Sequence, residues 1–475
     1  MRSRKPHPAV RNGFDVHLVR ARRDPRGQEL KAAFLTLGCK VNSYETEAVA
    51  ELFKTQGYEI VPAEASCEVV VINTCMVTNT GEAKSRQTIR GAIALHPGAI
   101  VVVMGCYSQL QSEKVSAIDG VCVVLGTKDR HLAPRYVDEY RRSKTTLVRV
   151  DPVGEGDAFE GMTIQAFARH KRAFLKIEDG CDNFCSYCII PYARGRVRSK
   201  DPAAVLSEAK YLAAHGFAEI VLTGIHTGGY GKDLKNYRFA DLLRELAAIE
   251  GLLRIRISSI EISELSDDVI DILAAYPVFA DHLHIPLQSG AERILKAMNR
   301  RYTKADYERK IAELRDRIPG ISITTDVIAG FPGETEADFQ EMLAFIREMR
   351  FSELHVFPFS KREGTMAAGL PGQVEGPEKK RRVAALLALS DELAQAYVHE
   401  NVGKTFVAIP ESFDAGTLTG HTGNYLRVRF QGVESLLSKP VRIRLLGASY
   451  PVSPAVIEPG DTVDSAAGVL PGYDV

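Results

Sequence analysis

The chain has 475 residues, 45% of them apolar and 25% charged, a balance that excludes collagen-like and wholly disordered classes. Lys plus Arg and Asp plus Glu are both 60, so net charge points to no partner and any nucleic-acid surface must be local. The length suits about two to four domains, and the apolar runs are too short to cross a bilayer.

Residues 1–30 are basic and lack periodic apolar positions, which predicts a disordered extension. They contain no apolar core of an export signal, so a cytoplasmic location is expected, where thiols stay reduced and clustered cysteines read as metal ligands. From residue 31 the pattern becomes strand, turn, helix. "AAFLTLGC", "EVVVINTC", "AIVVVMGC" and "GVCVVLGTKDR" are buried-strand runs, separated by helical stretches such as "NSYETEAVAELFKTQG". This alternation predicts an α/β domain over residues 31–143 with a doubly wound parallel sheet. Cys39, Cys75 and Cys106 each follow the carboxyl end of a predicted strand. In such sheets those ends share one edge, where ligands bind. Three thiols at equivalent places therefore read as a metal site, while Cys67 and Cys122 read as ordinary small buried residues.

Residues 144–166 are polar and Gly-containing and predict a linker. Six further strand-like runs, from "AFLKIEDG" to "ELHVFPFSKREG", alternate with helical patterns over residues 167–397. They predict a partial (βα)6 barrel whose site lies at the carboxyl ends of its strands. After the first run comes "GCDNFCSYCIIPYARG", with Cys181, Cys185 and Cys188 spaced C-x-x-x-C-x-x-C. Zinc would need a fourth ligand, for which His215 and His226 are remote candidates. Ferredoxin-type runs carry a fourth cysteine; a three-cysteine 4Fe-4S cluster leaves one iron open, a use met in radical chemistry from S-adenosylmethionine. "GPEKKRRVAALLALSDELAQAYVHENVG" predicts a long closing helix with a solvated basic run at residues 379–382. Residues 398–462 change to short strands. Tyr425, Arg427 and Arg429, then Arg442 and Arg444, alternate with apolar residues. This predicts a small β-barrel with a basic face suited to a phosphate backbone. Residues 463–475 predict a disordered tail.

The cysteine motif in this setting resembles the radical S-adenosylmethionine superfamily. Together with "TLGCKVNSYETEA", "INTCMVT", "VVMGCYSQ", "TGIHTGGYG", "HIPLQSG" and "TDVIAGFPGET", the chain from about residue 31 to about residue 460 resembles the methylthiotransferases, and its C-terminal barrel resembles the TRAM RNA-binding module. "GCKVNSYETE" and "CIIPYARG" are most similar to the branch acting on threonylcarbamoyladenosine in tRNA. Met76, Arg196 and Thr227 depart from that pattern, and none is a ligand cysteine. The resemblance implies that Cys181, Cys185 and Cys188 hold a 4Fe-4S cluster that seats S-adenosylmethionine. It implies that Cys39, Cys75 and Cys106 hold a second cluster that carries sulfur. Tyr187, Thr223, Gly224, Ser258, Ser259, Gln288 and Phe357 are the implied cofactor contacts; no catalytic residue beyond the cluster ligands is implied. Arg194, Arg196 and Arg198 are expected to meet the anticodon stem-loop, with an electron donor and a sulfur source as further partners and no membrane. The single-stranded anticodon loop eases removal of the target base from its stack. The competing readings are the same chemistry on isopentenyladenosine or on a ribosomal-protein aspartate, and a zinc-stabilised RNA-binding protein without catalysis.

Overall fold

The computed structural model describes residues 22–23, 27, 29–154, 156–164 and 172–462. Most of the expected N-terminal extension and all of the expected tail lie outside these residues. The packed chain nevertheless begins before residue 31. The Arg22 guanidinium pairs with Asp138 at 2.6 Å, its amide donates to the Gly57 carbonyl at 2.7 Å, and Leu30 is buried.

Six parallel strands form the first sheet: β1 (Lys31–Thr36), β2 (Glu59–Val61), β3 (Val69–Thr74), β4 (Ile100–Gly105), β5 (Val121–Leu125) and β6 (Leu147–Arg149). Their order is β2-β1-β3-β4-β5-β6. β3 and β4 are buried at every position, as central strands covered on both faces must be. Val69 and Val71 pack with Tyr44 and Phe53 of the helix Lys40–Thr55, while Val70 and Ile72 pack with Ile89 of the helix Asn79–Leu95. The direction of winding reverses between β1 and β3, which opens a crevice at their carboxyl ends. β2 and β6 are edge strands beyond the four expected. β6 comes from the stretch expected as a loose linker, and Met162 and Ile164 of that stretch are buried as well.

The second part contains β7 (Ala173–Lys176), β8 (Glu178–Asp179), β9 (Arg198–Ser199), β10 (Glu219–Thr223), β11 (Arg254–Ile257), β12 (His282–His284), β13 (Ser322–Ala329) and β14 (Glu353–Pro358). The parallel sheets β11-β10-β7 and β12-β13-β14 meet through the bridge of Ile255 to Phe279. Six strands thus follow one another in chain order as a partial barrel. β8 and β9 pair as an antiparallel ribbon across the cysteine loop. The long helix Gly376–Glu400 follows. Its basic run is not wholly solvated: Arg382 is buried between Glu334 and Glu378. The chain then closes a barrel of β15 (Thr405–Asp414), β16 (Thr417–Thr422), β17 (Arg427–Gln431), β18 (Val441–Leu445) and β19 (Ser453–Thr462). This barrel caps the amino end of the partial barrel: Arg254 donates to the Val407 carbonyl at 2.8 Å, and Arg256 to the Thr422 and Gly423 carbonyls at 3.1 Å.

A buried charge network joins the first sheet domain to the partial barrel. Glu45, on the helix Lys40–Thr55, receives Lys176 Nζ and Arg194 Nη1 at 2.7 Å each, and Arg130 as well. Asp179 receives Lys176 at 2.7 Å and Arg194 at 3.0 Å. Arg130 also pairs with Glu160 at 2.7 Å. Glu45 and Arg130 come from the first domain, Glu160 from the connection, and Lys176, Asp179 and Arg194 from the barrel. Glu45, Asp179 and Glu160 thus meet Lys176, Arg130 and Arg194 at the seam, with Arg198 3.6 Å from Asp179 as well. Burial alone would raise these carboxyls, but the facing cations outweigh it: Glu45 and Asp179 lie well below the usual range and Glu160 at about 2.

Removing one cation from a buried network leaves an uncompensated anion, at a cost of about 3–5 kcal/mol. Arg194→Met is expected to destabilise the chain by about that amount in denaturant unfolding, with Arg194→Lys less damaging. The acid limb follows from the depressed carboxyls. Their stability is complete above the ordinary glutamate value of 4.5 and is lost as pH falls toward about 2 through Glu160. Unfolding midpoints measured between these limits should fall for the wild type and change less for Arg194→Met.

Candidate functional site

The loop bearing Cys181, Cys185 and Cys188 is pinned at both ends. The Cys181 amide donates to the Gly195 carbonyl at 3.0 Å, and Ser186 donates to the Met298 and Ala297 carbonyls at 3.0 and 2.8 Å. Gly180 has φ +87°, and a Cβ there would meet the Arg196 carbonyl oxygen at 2.0 Å, so only glycine fits the approach. Arg300, held by Glu261, donates to Cys185 Sγ at 3.4 Å. Burial and the neighbouring Cys185 thiol push Cys188 up to about 12, and Cys181 is pushed up more strongly. The two histidines weighed as zinc ligands have other roles. His226 is engaged by Glu264 at 2.7 Å, and His215 stacks on Tyr211 with ring centroids 3.8 Å apart.

Cys39, Cys75 and Cys106 sit at the carboxyl ends of β1, β3 and β4, three neighbouring strands spanning the crevice. A Cβ at Gly38, whose φ is +105°, would meet Cys75 Sγ at 3.0 Å, so glycine lets the loops of β1 and β3 close on each other. Arg194 Nε donates to Cys106 Sγ at 3.3 Å, and Arg194 Nη2 to Asn42 Oδ1 at 2.8 Å. Asn42 in turn lies 3.9 Å from Cys39 Sγ. Burial pushes Cys106 up to about 11, with Cys39 and Cys75 adding and Arg194 opposing. Cys67 lies apart against His96, and Cys122 lies within β5.

Among the described residues, only His284, Asp326 and His355 bring three metal-capable ligand atoms within 4.8 Å of one another. All-thiolate donor sets are ligands that iron–sulfur clusters take.

A cavity of about 210 Å³ lies beside Cys188. Tyr187, Cys188, Ile189 and Ile190 line it from one side, Val77 and Thr78, which follow Cys75, from another, and Gln288, Asp326, Ile328 and Phe357 from the barrel. Tyr187, Gln288 and Phe357 are thus brought together. Thr223, Gly224, Ser258 and Ser259 lie instead at the carboxyl ends of β10 and β11, outside this cavity, with Thr227 and Ser258 hydroxyls 3.5 Å apart.

The structure corrects three expected RNA contacts. Arg194 is fully buried in the seam network, where it serves Glu45, Asp179 and Cys106. Arg198 is buried as well, donating to the Arg194 carbonyl at 2.7 Å and facing Asp179. Tyr425 precedes β17 in a turn with φ +67° and stacks between His282 and His421, under Arg256. It therefore belongs to the joint between the barrels. Arg196 is exposed over Phe184, and Arg427, Arg429, Arg442 and Arg444 all face outward from β17 and β18.

Other site residues were not foreseen. Glu178 is fully buried at the cysteine loop; one oxygen accepts the His226 amide at 2.7 Å and the other has no partner among the described residues. Burial pushes its carboxyl above the usual carboxylate range. Asp326 joins His284 at 3.2 Å and His355 at 3.4 Å. Lys40, next to Cys39, is exposed. Glu178 and Lys40 stood inside quoted motifs, but no spacing rule marks a single Glu or Lys.

Comparison with known proteins agrees with this geometry. The Radical SAM superfamily matches residues 175–346, and the uncharacterized protein family UPF0004 matches residues 31–126. The threonylcarbamoyladenosine tRNA methylthiotransferase MtaB of Bacillus subtilis (strain 168) is 48% identical over 88% of this chain and 94% of its own length. The protein of that name in Aquifex aeolicus (strain VF5) is 37% identical over 87% of this chain and its whole length. The tRNA-2-methylthio-N(6)-dimethylallyladenosine synthase of Alkaliphilus oremlandii (strain OhILAs) is 36% identical, covering 89% and 91%. Among solved structures, the radical S-adenosylmethionine methyltransferase TsrM of Kitasatospora setae has a TM-score of 0.52 at 18% identity, covering 69% of this chain and 72% of that one, a likeness of fold alone. With relatives of this identity along nearly their full lengths, the chain belongs to the radical S-adenosylmethionine methylthiotransferases.

Proposed function

We propose that this enzyme transfers a methylthio group to carbon 2 of N6-threonylcarbamoyladenosine beside the tRNA anticodon, with two 4Fe-4S clusters and S-adenosylmethionine. The observation that carries the reading is the pair of three-thiol sets, one at the carboxyl ends of β1, β3 and β4 and the other on the loop after β8, tied together through Arg194. The identity of 48% to a relative named for that substrate supports the choice of base. Cys181, Cys185 and Cys188 are the residues that would hold the cofactor-binding cluster, and Cys39, Cys75 and Cys106 the second. When bound, these groups supply a radical able to remove the carbon 2 hydrogen and the sulfur that replaces it.

The chain's own residues prepare that chemistry. Arg194 and Arg300 donate to Cys106 and Cys185, offsetting thiolate charge where water is scarce. Tyr187, Gln288 and Phe357 offer the cavity wall for an adenine ring, and Thr223, Gly224, Ser258 and Ser259 the adjoining strand ends. Glu178, with one buried oxygen unpartnered among the described residues, can meet a polar cofactor group there. The contact of Arg362 with Glu82 and the Val77 carbonyl keeps the first sheet over the barrel mouth and limits entry of water. Arg427, Arg429, Arg442 and Arg444 form a strand-borne basic face for the RNA backbone, with Arg196 nearer the cavity. Electrons and replacement sulfur come from partners outside the chain. No helix among the described residues is long and apolar enough to cross a membrane.

Mass spectrometry of tRNA nucleosides from a strain lacking this gene should show loss of the 2-methylthio derivative and accumulation of threonylcarbamoyladenosine; unchanged 2-methylthio nucleoside would reject the substrate. Each phosphate-contacting cation contributes about one unit to the slope of log affinity against log salt. Arg427→Ala with Arg429→Ala should weaken tRNA binding and flatten that slope by about two units, leaving iron content unchanged. An unaltered slope would remove this face from the RNA interface.

A further inference from the structure

Three adjacent parallel strands bring His284 of β12, Asp326 of β13 and His355 of β14 together, with one ligand atom of each within 4.8 Å of the others. Asp326 stands opposite His355 in the register, and His284 opposite Thr324, two residues before Asp326 on the same face. Asp326 Oδ1 lies 3.2 Å from His284 Nε2 and 3.4 Å from His355 Nδ1. Charge-assisted N–H···O bonds are shorter, about 2.7–2.9 Å. Ligand atoms on a tetrahedral zinc ion, with bonds of about 2.0–2.1 Å, stand about 3.3–3.4 Å apart, close to both spacings. The two imidazole rings stack with centroids 5.0 Å apart and turn a nitrogen each to the same oxygen. The other nitrogen of His284, Nδ1, lies 3.0 Å from Thr324 Oγ1, which lies 3.0 Å from His282 Nε2. That contact fixes the ring and leaves Nε2 for a metal, as outer partners do for metal-ligating histidines. Among the described residues Asp326 forms ion pairs with these two histidines and with no Lys or Arg.

We infer that His284 Nε2, Asp326 Oδ1 and His355 Nδ1 form a binding site for a divalent metal ion, zinc by its donor set, sharing no ligand with either thiol set. Two imidazoles and a carboxylate are a composition of three-ligand zinc sites, which keep a fourth position for an oxygen donor such as water. With zinc bound, the His284 proton sits on Nδ1 and is donated to Thr324 Oγ1, whose own proton goes to His282 Nε2; the His355 proton sits on Nε2. The ion supplies the positive charge that Asp326 receives from no Lys or Arg among the described residues. The site stands on the wall between two cavities. Asp326 lines the one beside Cys188, while His355 and Thr324 line a second, of about 280 Å³, together with Tyr425, His421 and Arg427. The His355 side chain is 45% exposed, which gives an ion a way in. The inference does not depend on which base the enzyme modifies.

The test is anaerobic equilibrium dialysis of the fully reconstituted enzyme against zinc, followed by metal analysis and zinc-edge X-ray absorption. Reconstitution fills the thiol sets first, so that iron content reports on them and zinc on the third site. The wild type should take up about one zinc per chain with its iron unchanged, and the absorption spectrum should show nitrogen and oxygen neighbours at about 2.0–2.1 Å without sulfur at about 2.3 Å. His355→Ala and Asp326→Ala should each lose the zinc at the same free concentration and keep the iron. Thr324→Val, which removes only the partner of His284 Nδ1, should weaken zinc binding about 10- to 100-fold. Wild-type enzyme that takes up no zinc overturns the inference without any variant, so a folding defect cannot protect it, and leaves the three residues as a hydrogen-bonded group alone. Zinc bound through sulfur, or gained only as iron is lost, overturns it in favour of the thiol sets. Zinc retained in full by both His355→Ala and Asp326→Ala places the ion elsewhere and overturns it as well.

Discussion

Everything at this site depends on how Arg194 is held. It lies six residues past Cys188, on the cysteine loop of the barrel, yet its guanidinium is spent on Glu45, Asp179, Asn42 and Cys106. One side chain therefore ties the loop of the first thiol set to a cysteine of the second. A fully buried arginine tolerates such a place only when each of its donors meets an acceptor. Glu45 and Asp179 supply the countercharge, and Lys176 and Arg130 balance them. A shift of one part against the other would break several charged contacts at once, so the spacing of the thiol sets is set by the seam.

The same logic explains why cations gather here. Thiolates close together in a poorly hydrated place raise each other, as Cys106 and Cys188 show. Arg194 and Arg300 oppose that rise from the protein side, and a bound metal cluster would oppose it further. At the far end of the barrel Arg254 and Arg256 have a mechanical task. They pair with Glu219 and reach the carbonyls of the C-terminal barrel, so that barrel is docked by the ions that wall the interior.

Much of this was legible in sequence because local rules suffice for it. Buried parallel strands are unbroken apolar runs, and a cysteine directly after each run must fall at the common edge. The alternation of Arg427 and Arg429 with Val428 and Phe430 gave the outward face of β17 by its period of two. What escaped depends on distant partners. Arg194 reads like a surface arginine beside Arg196 and Arg198 until Glu45, 149 residues away, is brought against it. Tyr425 looked in phase with the strand, but a left-handed residue there breaks the phase before β17 begins. β2 and β6 have three residues each and too few positions to show any period.

The account turns on two separate iron–sulfur sites in one chain. The direct measurement is iron and sulfide analysis with Mössbauer spectroscopy on anaerobically reconstituted wild type and on the variant with Cys181, Cys185 and Cys188 all changed to Ala. The account predicts about eight irons per wild-type chain, all in 4Fe-4S clusters, and about four in the variant. Zinc in place of iron, or loss of all iron from the variant, would contradict it.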